Sequence, residues 1–231
     1  MVASINQPAY LPWLGYFDRI IKSDVHIILD NVQFEKNSFI NRNMIVTDTN
    51  WTWLTVPVQT KGNFGNLEIK NLKIDNTSRW KKKHYNSLRY YYGKSKYFVE
   101  HENWFKDFYD NEWNYLYPLL EASTDYLLKT LGIKTPAVRS SEMSAKGNKS
   151  RFILDICLEI GATTYLSGPF GRDYLNLDEF KREGIQVVFH RYNYPNYKQL
   201  IKEFQNNMSV VDLIFNEGPK SFQIISGEFS K

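Results

Sequence analysis

The sequence predicts an α/β fold in which a parallel sheet is flanked by helices and carries a β-hairpin and a helical insertion. Three observations predict it. Short apolar runs at 2–5, 25–29, 163–166 and 185–189 have strand length, and segments of helical period stand among them. Each of these runs ends in hydrogen-bonding residues rather than in apolar filler. The middle of the chain has a different texture, β-rich and then helical with segregated charge. The 231 residues therefore read as one domain, with 1–48 and 132–231 forming the α/β core and 49–131 the hairpin plus helical insertion.

The first strand, 2–5, is followed by a proline-containing turn and an apolar-periodic segment to about residue 22. The second, Val25-His26-Ile27-Ile28-Leu29, ends at Asp30. Trp51-Thr52-Trp53-Leu54-Thr55-Val56-Pro57-Val58 is β-rich, and the turn at 61–66 leads to 67–74, which predicts a hairpin or small antiparallel section. From 76 to 99 the charged residues are all basic, and from 100 to 125 they are acidic apart from Lys106. Two helices pairing across Gly93 account for such blocks. Phe105, Phe108, Tyr109, Trp113, Leu116, Tyr117 and Leu120 form a helical stripe assigned to core. An amphipathic helix at 149–160 closes on Gly161, and a strand, a short helix at 177–182 and a last strand follow. Ser209 and Asp212 read as a capping box for a final helix that Gly218-Pro219 stops.

Composition excludes several classes. A 16% aromatic content and a net charge of +4 are unlike a disordered chain. One cysteine, Cys157, excludes a disulfide framework and a multi-thiolate zinc site within one chain. No run approaches about 18 apolar residues, and the N-terminus lacks a signal-peptide pattern, so the expectation is a cytoplasmic protein without a membrane partner. The four histidines show no metal-ligand spacing, so no metal is expected. No phosphate-loop lysine motif and no dinucleotide glycine fingerprint occur.

In an open parallel sheet, ligands bind beyond the carboxyl ends of the strands. Three loops there carry the candidate binding residues. The first holds Gln7, Tyr10, Trp13, Gly15 and Tyr16, whose rings suit a base or a sugar and whose glycine allows close approach. The second holds Asp30, Gln33, Lys36, Asn41, Arg42 and Asn43; Arg42 can fork two phosphate oxygens and Lys36 can act as a point charge. The third, Ser167-Gly168-Pro169-Phe170-Gly171-Arg172-Asp173-Tyr174, brackets a tight turn whose amides suit phosphate or ribose, with Arg172 and Tyr174 beside it. His84, after a basic helix start, is the candidate for acid–base work.

Together the loops resemble the WbqC-like family of bacterial surface-polysaccharide (O-antigen) biosynthesis. The resemblance rests on Gln7-Pro8-Ala9-Tyr10-Leu11-Pro12-Trp13-Leu14-Gly15-Tyr16-Phe17, Leu29-Asp30-Asn31-Val32-Gln33-Phe34, Asn41-Arg42-Asn43, Trp53-Leu54-Thr55-Val56-Pro57-Val58, Tyr165-Leu166-Ser167-Gly168-Pro169 with Tyr174-Leu175, and Leu213-Ile214-Phe215-Asn216-Glu217-Gly218, and runs nearly end to end. It implies a transferase that places an acyl group, such as the amino acid glycine, on the amine of a nucleotide-linked amino sugar. In that reading Arg42 and the Gly168 loop hold the diphosphate, Tyr10 or Trp13 stacks the base, and His84, with Lys36 behind it, takes the amine proton. The strand–loop–helix opening also looks like a Rossmann-like, nucleotidyltransferase-like fold. That superfamily's His-x-Gly-His is replaced by Trp13-Leu14-Gly15-Tyr16, so no cofactor is fixed, and ATP or an activated acyl or aminoacyl donor stays open. Two alternatives stand beside the enzyme: an aminoacyl-tRNA or nucleic-acid binder using the basic, tyrosine-rich segment 79–96, and a non-catalytic nucleotide-sugar scaffold. The oligomeric state is left open.

Overall fold

The computed structural model describes residues 1–62 and 67–227. In chain order the elements are β1 (Val2–Asn6), α1 (Leu14–Ile21), β2 (Val25–Ile28), β3 (Arg42–Val46), β4 (Trp51–Thr55), α2 (Trp80–Tyr92), α3 (Phe98–Asp110) and α4 (Leu116–Leu131). They continue with β5 (Ala137–Arg139), α5 (Lys149–Glu159), β6 (Thr164–Ser167), α6 (Leu177–Arg182), β7 (Gln186–Phe189), α7 (Val210–Glu217) and α8 (Ser221–Ser226). Five strands make one parallel sheet in the order β5-β2-β1-β6-β7, while β3 and β4 pair separately and antiparallel. The expected Rossmann-like α/β class is present. The fifth strand, β5, was not anticipated; three residues are too few to register as a strand pattern in sequence.

The two faces of the sheet differ because side chains alternate along a strand. Ala3, Ile5, Ile27, Leu29 and Tyr165 share an apolar cluster with Phe152, Ile153, Ile156 and Cys157 of α5 and with Phe180 of α6. Each of the larger side chains, Ile, Leu and Phe, contributes about 1.5–3 kcal/mol when withdrawn from water. The alternate residues, Ser4, Asn6 and His26, are buried and polar. They lie toward α1, whose Tyr16 and the following Ser23 bond to His26 and Ser4. At the end of α5, Gly161 takes φ +66°, and the Ala162 amide bonds Cys157 O at 2.8 Å, the left-handed stop that glycine accepts at least cost.

Three local expectations are corrected. β4 pairs with the preceding strand β3, in register Arg42↔Thr55 through Val46↔Trp51, rather than with 67–74. The tight turn between them is closed by Thr47 N–H to Asn50 O and Asn50 N–H to Thr47 Oγ1, which makes the nearer strand the easier partner. Residues 69–71 instead form a 3-10 turn, and Val58 meets Ile74 only at a lone bridge. Of the expected turn at 61–66, residues 63–66 lie outside the described residues. The hairpin thus begins at Arg42, inside the segment that the sequence assigned to the core.

The aromatic stripe is not one helix: α3 stops at Asp110 and α4 starts at Leu116, leaving Trp113 between them. Pro118 explains the restart, since proline fits the first turn of a helix but not its interior. The basic and acidic blocks do form neighbouring helices, with Arg89 3.3 Å from Glu102. At α7, Ser209 Oγ accepts from the Val211 amide, but Asp212 does not reciprocate as a capping box. Its carboxylate accepts instead from Tyr197 Oη at 2.6 Å and Gln199 Nε2 at 2.8 Å. No helix among the described residues is long and apolar enough to cross a membrane.

Candidate functional site at the sheet switch point

The chain leaves β1 toward β2 and β5 on one side and returns to β6 and β7 on the other. Strand order therefore reverses between β1 and β6, where open α/β sheets form their ligand crevice. The register pairs Ser4 with Leu166, and its continuation sets Asn6 beside Gly168. From the opposite side α1 contributes two adjacent charged residues, Asp18 and Arg19, in a helix otherwise filled by apolar and aromatic side chains.

Asp18 is wholly buried. Its Oδ2 lies 2.6 Å from Nε2 of His190 and accepts from Nζ of Lys22 at 2.7 Å. His190 follows β7, and its amide donates to Ser167 O, which fixes the ring against the crevice. Two residues on, the ring of Tyr192 is nearly parallel to that of His190 and passes over Gly15. A Cβ at Gly15 would come 3.1 Å from Tyr192 Cδ1, so the glycine is there for the ring. Burial, and then the charge of Asp18, raise the Tyr192 pKa, so its hydroxyl stays protonated.

Arg19 is only 9% exposed, and among the described residues no carboxylate pairs with it. Its guanidinium lies against Gly168, where a Cβ would collide with Nη1. Burial lowers its pKa, while Tyr165, Tyr16 and Tyr174 act in the opposite sense. Beneath it, His26 bonds Ser4 Oγ through Nδ1 at 2.9 Å; burial first, then the Arg19 charge, push its pKa down to about 3. Seven buried side-chain polar atoms among the described residues lack a hydrogen-bond partner. Four belong to this crevice: Asn6 Nδ2, Asp18 Oδ1, Arg19 Nε and Tyr192 Oη. Buried polar atoms are nearly always paired, so this concentration singles out the crevice as the candidate site.

Of the residues singled out in the sequence, Gly15, Tyr16, Ser167, Gly168 and Tyr174 belong to this crevice or its rim, and Gln7 directly follows β1. Ser167 is buried, and Gly171 packs on its hydroxyl. Tyr174 is 44% exposed and bonds Tyr165. Arg172 is exposed, with its guanidinium over Phe189. Asp30 lies two residues beyond β2 and accepts from Ser141 N–H, Ser141 Oγ and Ser140 Oγ, which ties the end of β2 to the residues after β5. Gln33 accepts from the Leu67 amide, and Asn41 donates to Val56 O. Asn43 donates to the carbonyl of Leu11, a residue with φ +43°.

Arg42 binds the backbone of Asn37 and lies 4.3 Å over the ring of Trp53. Trp53 and Trp13 both touch Phe39, so Trp13 joins the hairpin's aromatic surface to α1. Lys36 stands exposed in the turn before them. The structure does not bring Tyr10 and His84 to the strand ends. Tyr10 is fully buried and bonds Nδ1 of His84 at 3.0 Å, and its hydroxyl also meets that of Tyr109. His84 has a second hydrogen bond, to the Thr55 backbone, and burial lowers its pKa to about 3. His84 therefore lies in the core behind Tyr10, away from the strand ends, whereas His190 stands at the crevice.

Sequence reasoning marked His190 only as a polar strand end, and it did not single out Asp18, Arg19 or Tyr192. The one available signal was the charged pair Asp18-Arg19 inside an apolar helical segment; nothing in sequence links it to His190, 172 positions away.

Comparison with known proteins adds the family. Residues 7–224 match the model of the WbqC-like protein family. The uncharacterized protein Rv1507c of Mycobacterium tuberculosis (strain ATCC 25618 / H37Rv) is 35% identical over 220 residues, covering 94% of each chain. No solved structure matches the chain.

Proposed function

From a chain that belongs to the WbqC-like protein family, we propose a transferase that forms an amide on the amine of a nucleotide-linked amino sugar in surface-polysaccharide biosynthesis. The observation that carries the reading is the Asp18–His190 pair at the switch point, 2.6 Å apart and flanked by unpaired polar groups. A buried carboxylate on one ring nitrogen fixes a histidine's orientation and tautomer, which leaves the other nitrogen to act as a base. In this scheme Nδ1 of His190 takes the proton that the amine loses as its nitrogen bonds the acyl carbon. The bond from that carbon to the leaving group breaks, and the proton passes on to the leaving group. The nucleotide lies across the strand ends, with the turn at Gly168 against its diphosphate and Trp13 offering an aromatic face to its base.

The test offers the purified chain a panel of amino-sugar nucleotides with glycine and ATP, with acyl thioesters, or with charged tRNA. The last donor is included because Lys82, Lys83, Lys94 and Tyr90 stand exposed on or beside α2. The expected result is a sugar nucleotide heavier by one acyl group. Tight binding of the sugar nucleotide without product across all donors overturns the transferase in favour of a scaffold.

A further inference from the structure

We propose that the crevice between β1 and β6 contains a dedicated oxyanion subsite, in which the Arg19 guanidinium, with the Asn6 side-chain amide beside it, binds a phosphate or carboxylate group. The inference rests on the transferase reading for its choice of ligands, and on the structure alone for its geometry.

The cation is placed where burial penalises it. Arg19 is nine-tenths buried, and a buried guanidinium without a counter-charge is among the costliest arrangements in a fold. The neighbouring carboxylate does not compensate it. Asp18 is adjacent in sequence, yet consecutive helical residues point about 100° apart, and its Oδ2 is shared between Lys22 and His190. The other groups facing Arg19 are the hydroxyls of Tyr16, Tyr165 and Tyr174, all held protonated by burial, and His26, held neutral. None supplies negative charge.

What the crevice does supply is donors. Arg19 Nε and Asn6 Nδ2 are both buried and both unpaired, and each can only donate. A guanidinium presents its N–H groups in a planar fork that fits two oxygens of a phosphate or carboxylate. Asn6 lies on the same face of β1 as Ser4, whose hydroxyl bonds His26 beneath Arg19, so both donors are on the α1 side of the sheet. Gly168 completes the arrangement: any Cβ there would strike Nη1, so the absence of a side chain is what lets the guanidinium reach the turn after β6. The missing partner is therefore an acceptor carrying negative charge, at the position where the sheet opens to ligands.

The experiment measures binding to the full chain by calorimetry and thermal melting, with inorganic phosphate, a nucleoside diphosphate and glycine as probes. Binding is expected to raise Tm by roughly 5 °C at saturation. Response to the nucleoside diphosphate or phosphate identifies a phosphoryl ligand, and response to glycine alone identifies the carboxylate of an acyl donor. Arg19→Met keeps the bulk and removes the charge; it is expected to weaken the responding probe at least about tenfold while raising the ligand-free Tm, because an uncompensated buried charge has gone. Gly168→Ala retains the charge but displaces it, and is expected to weaken binding too. If no probe binds, or if Arg19→Met leaves binding unchanged and lowers the ligand-free Tm, Arg19 is a structural residue and the subsite is refuted. Anion binding that is lost in Arg19→Met, with no acylated product from any donor, upholds the subsite and retires the transferase.

Discussion

Nε2 of His190 lies 2.6 Å from Oδ2 of Asp18, a contact between the first helix and the segment after the last strand of the sheet, across 172 residues of sequence. That pairing brings His190 to the crevice only when the whole α/β core has closed. Asp18→Asn and His190→Gln are both expected to lower turnover about 10²–10⁴-fold while leaving the Kd for the sugar nucleotide within about threefold. The pairing has a signature independent of any substrate: a ring N–H of His190 shifted downfield in the proton spectrum, absent in Asp18→Asn. A wild-type spectrum without such a proton, together with undiminished turnover in His190→Gln, would remove His190 from the chemistry.

Stability should fall with acid in a window set chiefly by His26 and His84, with buried His101, also lowered by burial, acting in the same sense. His26 and His84 are neutral in the fold, with pKa values lowered by burial to about 3, while in the unfolded chain histidine titrates near the ordinary 6.5. Between those values the unfolded state binds more protons than the folded one. Their contribution is thus complete above pH 6.5 and is lost as pH falls toward 3, with a slope of about 1.4 kcal/mol per pH unit for each histidine. Denaturant unfolding between pH 6.5 and 5, above the range where most carboxylates protonate, should show that slope. In His84→Gln the slope should drop by about half. A flat stability profile across that interval contradicts the assignment.

Two glycines separate conformational strain from collision. Gly132 and Gly218 both have positive φ, but a Cβ at Gly132 would meet no atom within 4 Å, whereas at Gly218 it would come 2.5 Å from the ring of Tyr97. Gly132→Ala should cost about 1 kcal/mol for the left-handed backbone alone. Gly218→Ala should cost clearly more, about 2–4 kcal/mol, because the ring must also move. Equal urea midpoints for the two variants would show that Tyr97 yields freely.

Asp30 offers a test of role. Its carboxylate accepts three hydrogen bonds from Ser140 and Ser141, all at the loop after β5. Asp30→Ala should therefore destabilise the chain by about 2–4 kcal/mol, and backbone amides of β5 should lose exchange protection first. A variant of unchanged stability that fails to bind sugar nucleotide would return Asp30 to the ligand.

The sequence by itself determined the architecture wherever a pattern is local. The runs at 2–5 and 25–29, the helix before Gly161 and the strand ends at Ser167 and His190 depend on periodicity and on single stop residues, and all were legible. The resemblance to the WbqC-like family was legible for the same reason, since it rests on contiguous motifs. Tertiary structure decided which polar residues gather at the strand ends and which are tied into the core. Tyr10, His84, Asn41 and Asn43 share the texture of binding residues, yet their hydrogen bonds close within the fold. Arg19 looks like any helix-surface arginine until the fold shows it buried, with no carboxylate paired to it among the described residues. Periodicity reports which face an element buries; it does not report whether a buried polar atom finds a partner, because that partner comes from elements far along the chain.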